Sequence, residues 1–579
     1  MFSRIPLLLA FLYSISAEQP SAPSPISAPL RELPWASGGL NFLHTTDTHG
    51  WHGGHLQEAQ YSADWGDYIS FAHHLRRRAD DDGSDLLLVD TGDRVEGNGL
   101  YDASDPKGRY TFDIFKQQRM DVITPGNHEL YLANTSRREY DEVVPDFRNA
   151  YIASNLDIYN SKSGRYEAFA PRYRKFTTKN SGVRVLAFGF MFDFHGNANN
   201  TFVQPVQDTI KEQWFQDALR TKDVDLFLVA GHVPVRDSQE YDLIYRAIRD
   251  VVWDTPIVFF GGHTHIRDFR KFEKKAYGIE SGRYMETLGF LSISGVAGSK
   301  NGVIAASSPE FRRSSSFSTE VGRNVSESIH AARKAMKLDH TFGCAPQDYW
   351  LNRAAYPSNS SLLSLLDTQV LPDTFRHLKN ASIVITNSGA IRFDIFKGPF
   401  TTDTTFLVSP FTSGFRKLRN VPYKAASQVL QLLNNEGQIA LEDLVDGSVR
   451  MKDLMPPLPP VSLRQNVNVL GDQQVLGEQP TVPGYTTIDD AGSDGDDTIH
   501  QRIQFYDVPN VIGVDVGFSS DEKPETVDLV YNEFIQDWVL VALQYLGKKY
   551  GKEDTEEALE GKTMTDVISG WVGEHWECG

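Results

Sequence analysis

The chain has 579 residues, of which 40% are hydrophobic, 11% aromatic and 23% charged, so it has the composition of a globular protein with about two to four domains. Its 57 basic and 76 acidic residues give a net charge of −19, which argues against a general binder of nucleic acids or anionic membranes. Two cysteines, Cys344 and Cys578, exclude a cysteine-built zinc domain, and the sequence leaves open whether they pair.

The first residues have the features of a secretory signal that is removed after residue 17. Arg4 precedes a short apolar run from Ile5 to Tyr13, and a small residue, Ala17, stands at the expected cleavage point. Residues 18–38 are rich in Pro, Ser and Ala and are predicted to be a linker. We therefore expect a soluble, secreted or vacuolar glycoprotein without a membrane anchor, with acceptor sequons at Asn134, Asn199, Asn324, Asn359 and Asn380.

Short apolar runs alternate with amphipathic helices between Leu40 and about Asp268, which predicts a layered α/β unit over residues 39–310. A helix is predicted at Trp65–Arg78, where apolar side chains recur at helical spacing on one face. The predicted strands are Leu40–Thr46, Leu86–Asp90, Asp121–Thr124, Val183–Phe190, Leu226–Ala230 and Ile257–Phe260.

A second α/β unit is predicted over residues 343–579. A serine-rich break near Ser307–Ser318 precedes a helical pattern at about Arg323–Lys337, which we assign to a connector helix within residues 311–342. Residues 454–497 interrupt the second unit with a segment rich in Pro, Gly and Asp, which is typical of a mobile loop.

Five polar clusters directly follow predicted strands, and the carboxyl ends of strands are where open α/β sheets bind ligands. Each cluster alone more often caps a turn or belongs to a core, so the prediction depends on the series of five. Together they offer more Asp, His and Asn ligands than one tetrahedral ion needs, in a set suited to Zn²⁺, Mn²⁺ or Fe, so we expect two divalent ions sharing one carboxylate. The clusters are Asp47-Thr48-His49, Gly92-Asp93, Gly126-Asn127-His128-Glu129, Gly231-His232 and Gly262-His263-Thr264-His265.

This series resembles the calcineurin-like metallophosphoesterases, and Leu43–Gly50, with the sequence LHTTDTHG, is similar to the 5′-nucleotidase branch of that superfamily. In the second unit, Asn387–Arg392 (NSGAIR) and Val408–Phe411 (VSPF) are similar to the Asn-Gly-Gly-Gly-Ile-Arg and Leu-Pro-Phe segments of that branch. The resemblance implies a four-layer αββα metallophosphoesterase sandwich over residues 39–310, followed by an α/β domain of the nucleotide-binding type.

The resemblance also implies roles for individual residues. One ion would be held by Asp47, His49 and His265, the other by Asn127, His232 and His263, with Asp93 bridging the two. Two such ions can deprotonate a bridging water that attacks a phosphoryl group. His128 would face the phosphate without binding metal, while in the second domain Asn387 and Arg392 would hold polar parts of a nucleotide and Phe411 would stack on its base.

The implied activity is hydrolysis of nucleoside 5′-monophosphates, small-molecule substrates of nucleotide catabolism. Three departures from the family pattern bear on it. Tyr131 stands where the family has an Asp that orients the catalytic His, and Glu129 is expected to point elsewhere. Either another group orients the imidazole of His128, or this imidazole is less well placed for catalysis. Ser388 and Ala390 replace two loop glycines.

The third departure is the absence of a Gly-Gly-Asp-Gly loop, which brings a second aromatic side chain in the family. The corresponding region, Asp528–Phe534, continues into a helical pattern through Leu546. These departures keep two alternatives open. One is a phosphatase or diesterase of another specificity, acting on nucleotide sugars or general phosphomonoesters. The other is a non-catalytic binding descendant of the fold, against which the complete ligand set argues.

Overall fold

The computed structural model describes residues 33–58, 61–236, 238–296, 303–307, 317–434, 481–484, 498–501, 505–519 and 522–578. The predicted signal and most of the predicted linker lie outside these residues. So does the predicted mobile insert 454–497, apart from a short strand at Thr481–Gly484. In the described part of the chain, no helix has both the length and the apolar character needed to cross a bilayer.

The described residues up to 307 contain fourteen strands. In chain order these are β1 (Leu40–Thr45), β2 (Asp85–Asp90), β3 (Val122–Ile123), β4 (Leu156–Asn160), β5 (Arg165–Ala168), β6 (Tyr173–Thr177), β7 (Arg184–Met191), β8 (Thr201–Val203), β9 (Leu226–His232), β10 (Ile257–Phe260), β11 (Arg267–Glu273), β12 (Ala276–Ser281), β13 (Gly289–Ser294) and β14 (Val303–Ser307).

Two large sheets carry most of these strands, in the orders β14-β13-β1-β2-β3 and β11-β12-β10-β9-β7-β6. The strands β1, β2 and β3 run parallel to one another, as do β7, β9, β10 and β12. Within each sheet, therefore, the loops that leave these strands emerge at one edge. Every residue of β1, β2 and β10 is buried, as expected for sheets covered on both faces.

The two large sheets pack face to face through an apolar layer to which Phe42 and Val89 contribute from one side and Ala187, Leu228 and Phe260 from the other. Helices cover the outer faces of both sheets, which confirms the predicted four-layer αββα sandwich. The helices are α1 (Trp65–Asp82), α2 (Gly99–Asp102), α3 (Thr111–Phe115), α4 (Ala133–Arg138), α5 (Val144–Asp146), α6 (Val206–Thr209), α7 (Gln213–Leu219) and α8 (Gln239–Val251).

The helix α1 runs four residues beyond its predicted end at Arg78. It begins after Asp64, whose side chain forms a capping box with Asp67, and it stops at Gly83, which takes the left-handed conformation at φ 74°. The connector helix α9 (Glu320–Ala335) starts earlier than predicted because Thr319 caps it.

The strands of the second unit are β15 (Thr341–Ala345), β16 (Ser382–Asn387), β17 (Gly398–Thr401), β18 (Phe415–Pro422), β19 (Thr481–Gly484), β20 (Thr498–Gln501), β21 (Val511–Val516), β22 (Thr526–Asn532) and β23 (Thr555–Glu557). Five of them form a sheet in the order β21-β16-β22-β18-β23, with helices packed on both faces. Cys344 and Cys578 form a disulfide in this unit. The helices are α10 (Leu362–Leu365), α11 (Leu371–Phe375), α12 (Thr402–Val408), α13 (Tyr423–Asn434), α14 (Gln536–Tyr545) and α15 (Met564–His575).

Candidate active site

The five polar clusters meet at one end of the two large sheets. The side chains come from the loops after β1, β2, β3 and β10 and from the last residue of β9. They are buried or nearly so, although they are separated by up to 218 positions in the chain (Asp47 to His265). The parallel arrangement of the strands therefore brings the predicted ligands together, as expected from the sequence.

Four of the side chains form a first group of potential ligands, with their donor atoms all within 4.8 Å of one another: Asp47, His49, Asp93 and His265. Nε2 of His265 lies 3.3 Å from Oδ1 of Asp47 and 3.2 Å from Nε2 of His49. Nε2 of His49 lies 3.7 Å from Oδ2 of Asp93. Two imidazoles and two carboxylates thus converge on a space of the size of one cation.

A second group consists of Asp93, His232 and His263, again with donor atoms within 4.8 Å. Oδ2 of Asp93 lies 3.0 Å from Nε2 of His232. Oδ1 of Asn127 approaches Nδ1 of His263 to 3.0 Å and so adds a fourth oxygen or nitrogen donor. Asp93 is the side chain that the two groups share, as the resemblance implied for the bridging ligand.

The orientation of the histidines fits metal binding. Nδ1–H of His49 donates to the carbonyl oxygen of Glu96 at 2.6 Å, and Nδ1–H of His232 donates to that of Thr91 at 2.8 Å, so both present Nε2 to the centre. Nε2 of His232 is fully buried and faces Oδ2 of Asp93 at 3.0 Å. Burial lowers the pKa of His263 to about 3, which keeps this imidazole neutral, as a metal ligand must be.

The carboxylates of the centre attract positive charge strongly. Burial by itself would lower the pKa of His232, but Asp93 and Asp47 raise this pKa to about 10. The same attraction would hold a divalent cation, and a set of nitrogen and oxygen donors without thiolate suits Zn²⁺, Mn²⁺ or Fe. The residues present therefore fit the divalent metal ions expected from the sequence.

Five of the seven predicted ligands have a positive φ, which non-glycine residues rarely adopt. Such conformations cost about 1–3 kcal/mol each and cluster at functional sites, where the surrounding structure holds them. Gly126 permits the close approach of two of these loops, because a Cβ atom there would lie 2.2 Å from Oδ1 of Asp93. The five residues are Asp47 (50°), His49 (45°), Asp93 (54°), His263 (82°) and His265 (64°).

Glu129 connects two of the loops that carry candidate ligands. Its carboxylate accepts hydrogen bonds from the backbone N–H groups of Asp93 (2.9 Å), Arg94 (2.7 Å) and Gly126 (2.6 Å). It therefore points away from the ring of His128, which confirms the prediction made from the sequence. Its role is to fix the positions of the loops that carry Asp93 and Asn127.

His128 lies at the margin of the centre, with Nε2 3.9 Å from Oδ2 of Asp93. Its Nδ1 lies 2.8 Å from Oε2 of Glu96, and Nη2 of Arg392 donates to its Nε2 at 3.2 Å. Glu96 was not among the residues predicted from the sequence, because no motif marks it. The ring of His128 therefore contacts a carboxylate from the loop after β2 and not a side chain at position 131.

A cavity of about 210 Å³ adjoins His128 and lies between the two α/β units. Oδ1 of Asn387 is buried and lacks a hydrogen-bond partner within the described part of the chain. Arg392 lies over the ring of Phe411, with 5.3 Å between the guanidinium carbon and the ring centroid. The structure thus brings the three predicted substrate-binding residues to one cavity; its lining includes Asn387, Arg392, Phe411, Asn532 and Phe534.

Phe534 is a second aromatic side chain in this cavity that the sequence analysis missed. The region continues into the helix α14, as expected from the sequence, and a 3-10 turn at Glu533–Ile535 separates that helix from β22. Oδ1 of Asn532 accepts from the backbone N–H of Phe534 at 3.0 Å and so caps this turn. Phe534 is 40% exposed. Asn532, two residues earlier, is a typical capping residue and was the sequence signal for this turn.

Comparisons with known proteins match both units. Residues 40–267 match the family model of the calcineurin-like phosphoesterases, and residues 348–540 match that of the C-terminal domain of NAD nucleotidases. An uncharacterized protein of Schizosaccharomyces pombe is 38% identical, covering 94% of this chain and 90% of its own length. A secreted protein of Arthroderma benhamiae is 32% identical, covering 97% and 93%. The crystal structure of a 5′-nucleotidase from Candida albicans superposes with a TM-score of 0.81 at 35% identity, covering 95% of this chain and 100% of that one.

Proposed function

The chain belongs to the calcineurin-like phosphoesterases, with a C-terminal domain of the NAD nucleotidase type, and we propose that it releases phosphate from nucleoside 5′-monophosphates. The observation that carries this proposal is the position of Asp93, which two adjacent groups of ligands share beside His128 and a cavity lined by aromatic side chains. A binding protein that had lost catalysis would have no physical need for both complete groups.

The residues that would hold two divalent ions are those of the two groups. Asp47, His49 and His265 belong to one ion, Asn127, His232 and His263 to the other, and Asp93 to both. Two ions so bound supply Lewis acidity and an activated water for in-line attack on phosphorus. The identity of the metals, Zn, Mn or Fe, is not part of the proposal.

The other residues act on the substrate. His128 would act as the general acid: when Nε2 carries a proton in place of the contact with Arg392, this proton passes to the leaving ester oxygen as the P–O bond breaks, and the electron pair of that bond goes to the same oxygen. Arg392 adjoins His128 and would pair with the nonbridging phosphate oxygens. Phe411 and Phe534 would contact the base, and the free Oδ1 of Asn387 would accept a hydrogen bond from the nucleoside.

Hydrolysis of a pyrophosphate bond is the second candidate. The match of residues 348–540 to NAD nucleotidases favours it, because those proteins act on a dinucleotide. Nucleotide sugars contain the same pyrophosphate linkage. The two candidates use the same centre and differ only in the group that leaves.

We also propose a secretory route and a division into domains at residues 39–310, 311–342 and 343–579. The disulfide between Cys344 and Cys578 is typical of an oxidising compartment, and a relative carries the name secreted protein. The separate sheets of the two units support the division. Glycosylation is possible sterically at all five sequons, because each asparagine is exposed: Asn134, Asn199, Asn324, Asn359 and Asn380.

Phosphate release from a substrate panel tests the proposed function. The full chain, loaded with Zn²⁺ or Mn²⁺, is assayed on AMP, adenosine 3′-monophosphate, 4-nitrophenyl phosphate, NAD and UDP-glucose, with the Asp93→Ala variant as the control for contaminating phosphatases. We expect the highest kcat/KM on AMP. Faster hydrolysis of NAD or UDP-glucose would replace the proposal with the pyrophosphate candidate, and no hydrolysis of any compound would support a binding descendant.

A further inference from the structure

Three aromatic side chains lie exposed side by side on a small three-stranded sheet, which has the order β5-β4-β8. Tyr159 of β4 is 41% exposed, Tyr166 of β5 46% and Phe202 of β8 49%. The ring centroids of Tyr159 and Tyr166 lie 5.5 Å apart, and those of Tyr166 and Phe202 lie 6.2 Å apart. We call these three residues the aromatic patch. Contiguous apolar surface marks a place of interaction more often than single exposed side chains do.

The aromatic patch results from the alternation of side chains along the strands. Ile158 of β4 and Val203 of β8 belong to the buried core, so their neighbours along each strand face outwards. On that outer face, Tyr159 lies directly opposite Tyr166 in the antiparallel ladder, and Phe202 comes from the strand on the other side of β4. The solvated face of an antiparallel sheet usually carries polar side chains. Three adjacent rings in such positions therefore indicate that this face is covered.

The area of the aromatic patch suits an oligosaccharide better than a protein. A large aromatic side chain has about 150–250 Å² of surface, so three rings exposed by 41–49% offer roughly 200–350 Å². A stable protein partner covers about 800 Å² on each side of an interface. The face of an aromatic ring is electron-rich and attracts the C–H groups that line one face of a sugar ring. One or two sugars therefore match this surface in both size and chemistry.

A glycosylation sequon, Asn199-Asn200-Thr201, directly adjoins the aromatic patch. The hydroxyl of Tyr166 donates to the carbonyl oxygen of Asn199 at 2.6 Å. Asn199 is exposed, and its side-chain amide has no hydrogen-bond partner in the described part of the chain. At another sequon, by contrast, Nδ2 of Asn380 donates to Asp528 at 3.1 Å. The amide of Asn199 is therefore free to carry a sugar next to the rings.

We propose that Asn199 carries an N-linked oligosaccharide whose first sugars pack on the aromatic patch and shield it from water. When the sugar is attached, Nδ2 of Asn199 forms a bond to C1 of N-acetylglucosamine and gives up one proton to the transferase. The lipid-linked pyrophosphate of the sugar donor leaves with the electron pair of the C1–O bond. This inference rests on the proposed secretory route, which supplies the donor and the transferase.

The turn that carries Asn199 is held in a fixed position. The backbone N–H of Thr201 donates to the carbonyl oxygen of Ala198 at 2.9 Å, and Nδ2 of Asn200 donates to that of Ala133 in α4 at 3.1 Å. A fixed attachment point lowers the entropy that is lost when the first sugars rest on the rings. Thr201 is only 4% exposed, so the transferase has to recognise this sequon before the turn folds.

Glycopeptide mass spectrometry of the full chain, secreted from a yeast host, measures the occupancy of each sequon. We expect Asn199 to be occupied, and the Asn199→Gln variant to melt about 2–4 °C lower than the wild type, because the rings are then exposed to water. Enzymatic removal of the sugar from the folded wild-type protein should give the same shift. Asn359→Gln is the matched control, since Asn359 is an exposed sequon asparagine of the second unit, and it should leave the melting temperature unchanged.

A double variant, Tyr166→Ser/Phe202→Ser, tests whether the sugar acts through the rings. In this background, Asn199→Gln should lower the melting temperature by much less than in the wild type, because the contact is already lost. Equal shifts in both backgrounds would overturn the inference. So would an unmodified Asn199 in protein whose other sequons carry sugar, a result that leaves the secretory route intact. A secreted chain without sugar at any sequon would overturn the inference alone, whereas a chain that the host retains in the cytosol would overturn the secretory route as well.

Discussion

Nη2 of Arg392 lies 3.2 Å from Nε2 of His128, although the two residues belong to different α/β units. Other contacts fix the position of the second unit against the first. Arg333, on the connector helix α9, pairs with Asp403 of the second unit at 2.6 Å, and both residues are largely buried. The backbone N–H of Gly99, in the first unit, donates to the same carboxylate of Asp403 at 3.0 Å. The second unit thus contributes a charged side chain directly to the candidate active site.

Arg392→Ala should lower kcat/KM for every phosphoester by about 10- to 100-fold, because a charged hydrogen bond at a buried site is worth about 1.5–3 kcal/mol. Steady-state kinetics on AMP and 4-nitrophenyl phosphate measure this loss. Arg376→Ala is the control, since Arg376 is an exposed arginine of the same unit, paired with Asp373. Unchanged kcat/KM in Arg392→Ala would remove Arg392 from the site.

Asp93→Ala should lose most of the bound metal and most of the activity, because both groups of ligands share this carboxylate. Metal per chain, measured by mass spectrometry after gel filtration, should fall below that of the wild type. His73→Ala, which removes an exposed histidine of α1, should leave metal and activity unchanged. Full metal content in Asp93→Ala would contradict the bridging assignment.

Phe411→Ala should raise KM for nucleoside monophosphates by about ten- to a hundredfold, since stacking on a base is worth about 1–3 kcal/mol. Simple aryl phosphates should change little. The Phe534→Ala variant is measured beside it, because Phe534 lines the same cavity from another element and its effect on KM shows whether the second ring also contacts the base. Equal losses on both substrate classes, together with a lower melting temperature, would instead indicate that Phe411 serves only to pack the unit.

His44 should make the protein less stable in acid. It is fully buried between the hydroxyls of Ser281 (2.6 Å) and Thr91 (2.9 Å), and burial lowers its pKa to about 3. An unfolded histidine has a pKa of about 6.5, so the folded state binds fewer protons between these values. The stability that neutral His44 contributes is therefore fully present above about pH 6.5 and is lost as the pH falls towards 3.

The His44→Gln variant tests this pH dependence. It keeps polar atoms near both hydroxyls but does not titrate, so its free energy of unfolding should fall less steeply below pH 6.5, by about 1.4 kcal/mol per pH unit relative to the wild type. Denaturant unfolding of the chelated protein measures the slope, with the exposed His73→Gln as the control. Parallel slopes in His44→Gln and the wild type would contradict the prediction.

The sequence predicted that the candidate ligands lie together because each follows an apolar run, and the carboxyl ends of parallel strands lie at one edge of a sheet. The six strands predicted in the first unit are all present, and the apolar run Leu226–Ala230 is the start of β9, which extends to His232. The sequence could not decide whether Cys344 and Cys578 pair, because pairing depends on the distance between them in the folded chain.

Glu96 and Phe534 could not be predicted in the same way. Glu96 contacts His128 from the loop after β2, where positive φ values accompany contacts with His49 and Asp102 that no sequence pattern marks. Phe534 follows a strand and precedes a helix, and the apolar pattern of the region is compatible with an uninterrupted helix. In both cases tertiary contacts decide the local conformation.

Metal content and phosphate release, measured on the same preparation before chelation, after chelation and after reloading, test the central claim most directly. We expect about two divalent ions per chain, release of phosphate from AMP that chelation abolishes, and recovery on adding Zn²⁺ or Mn²⁺. Undiminished release of phosphate from AMP by the metal-free protein would contradict the account.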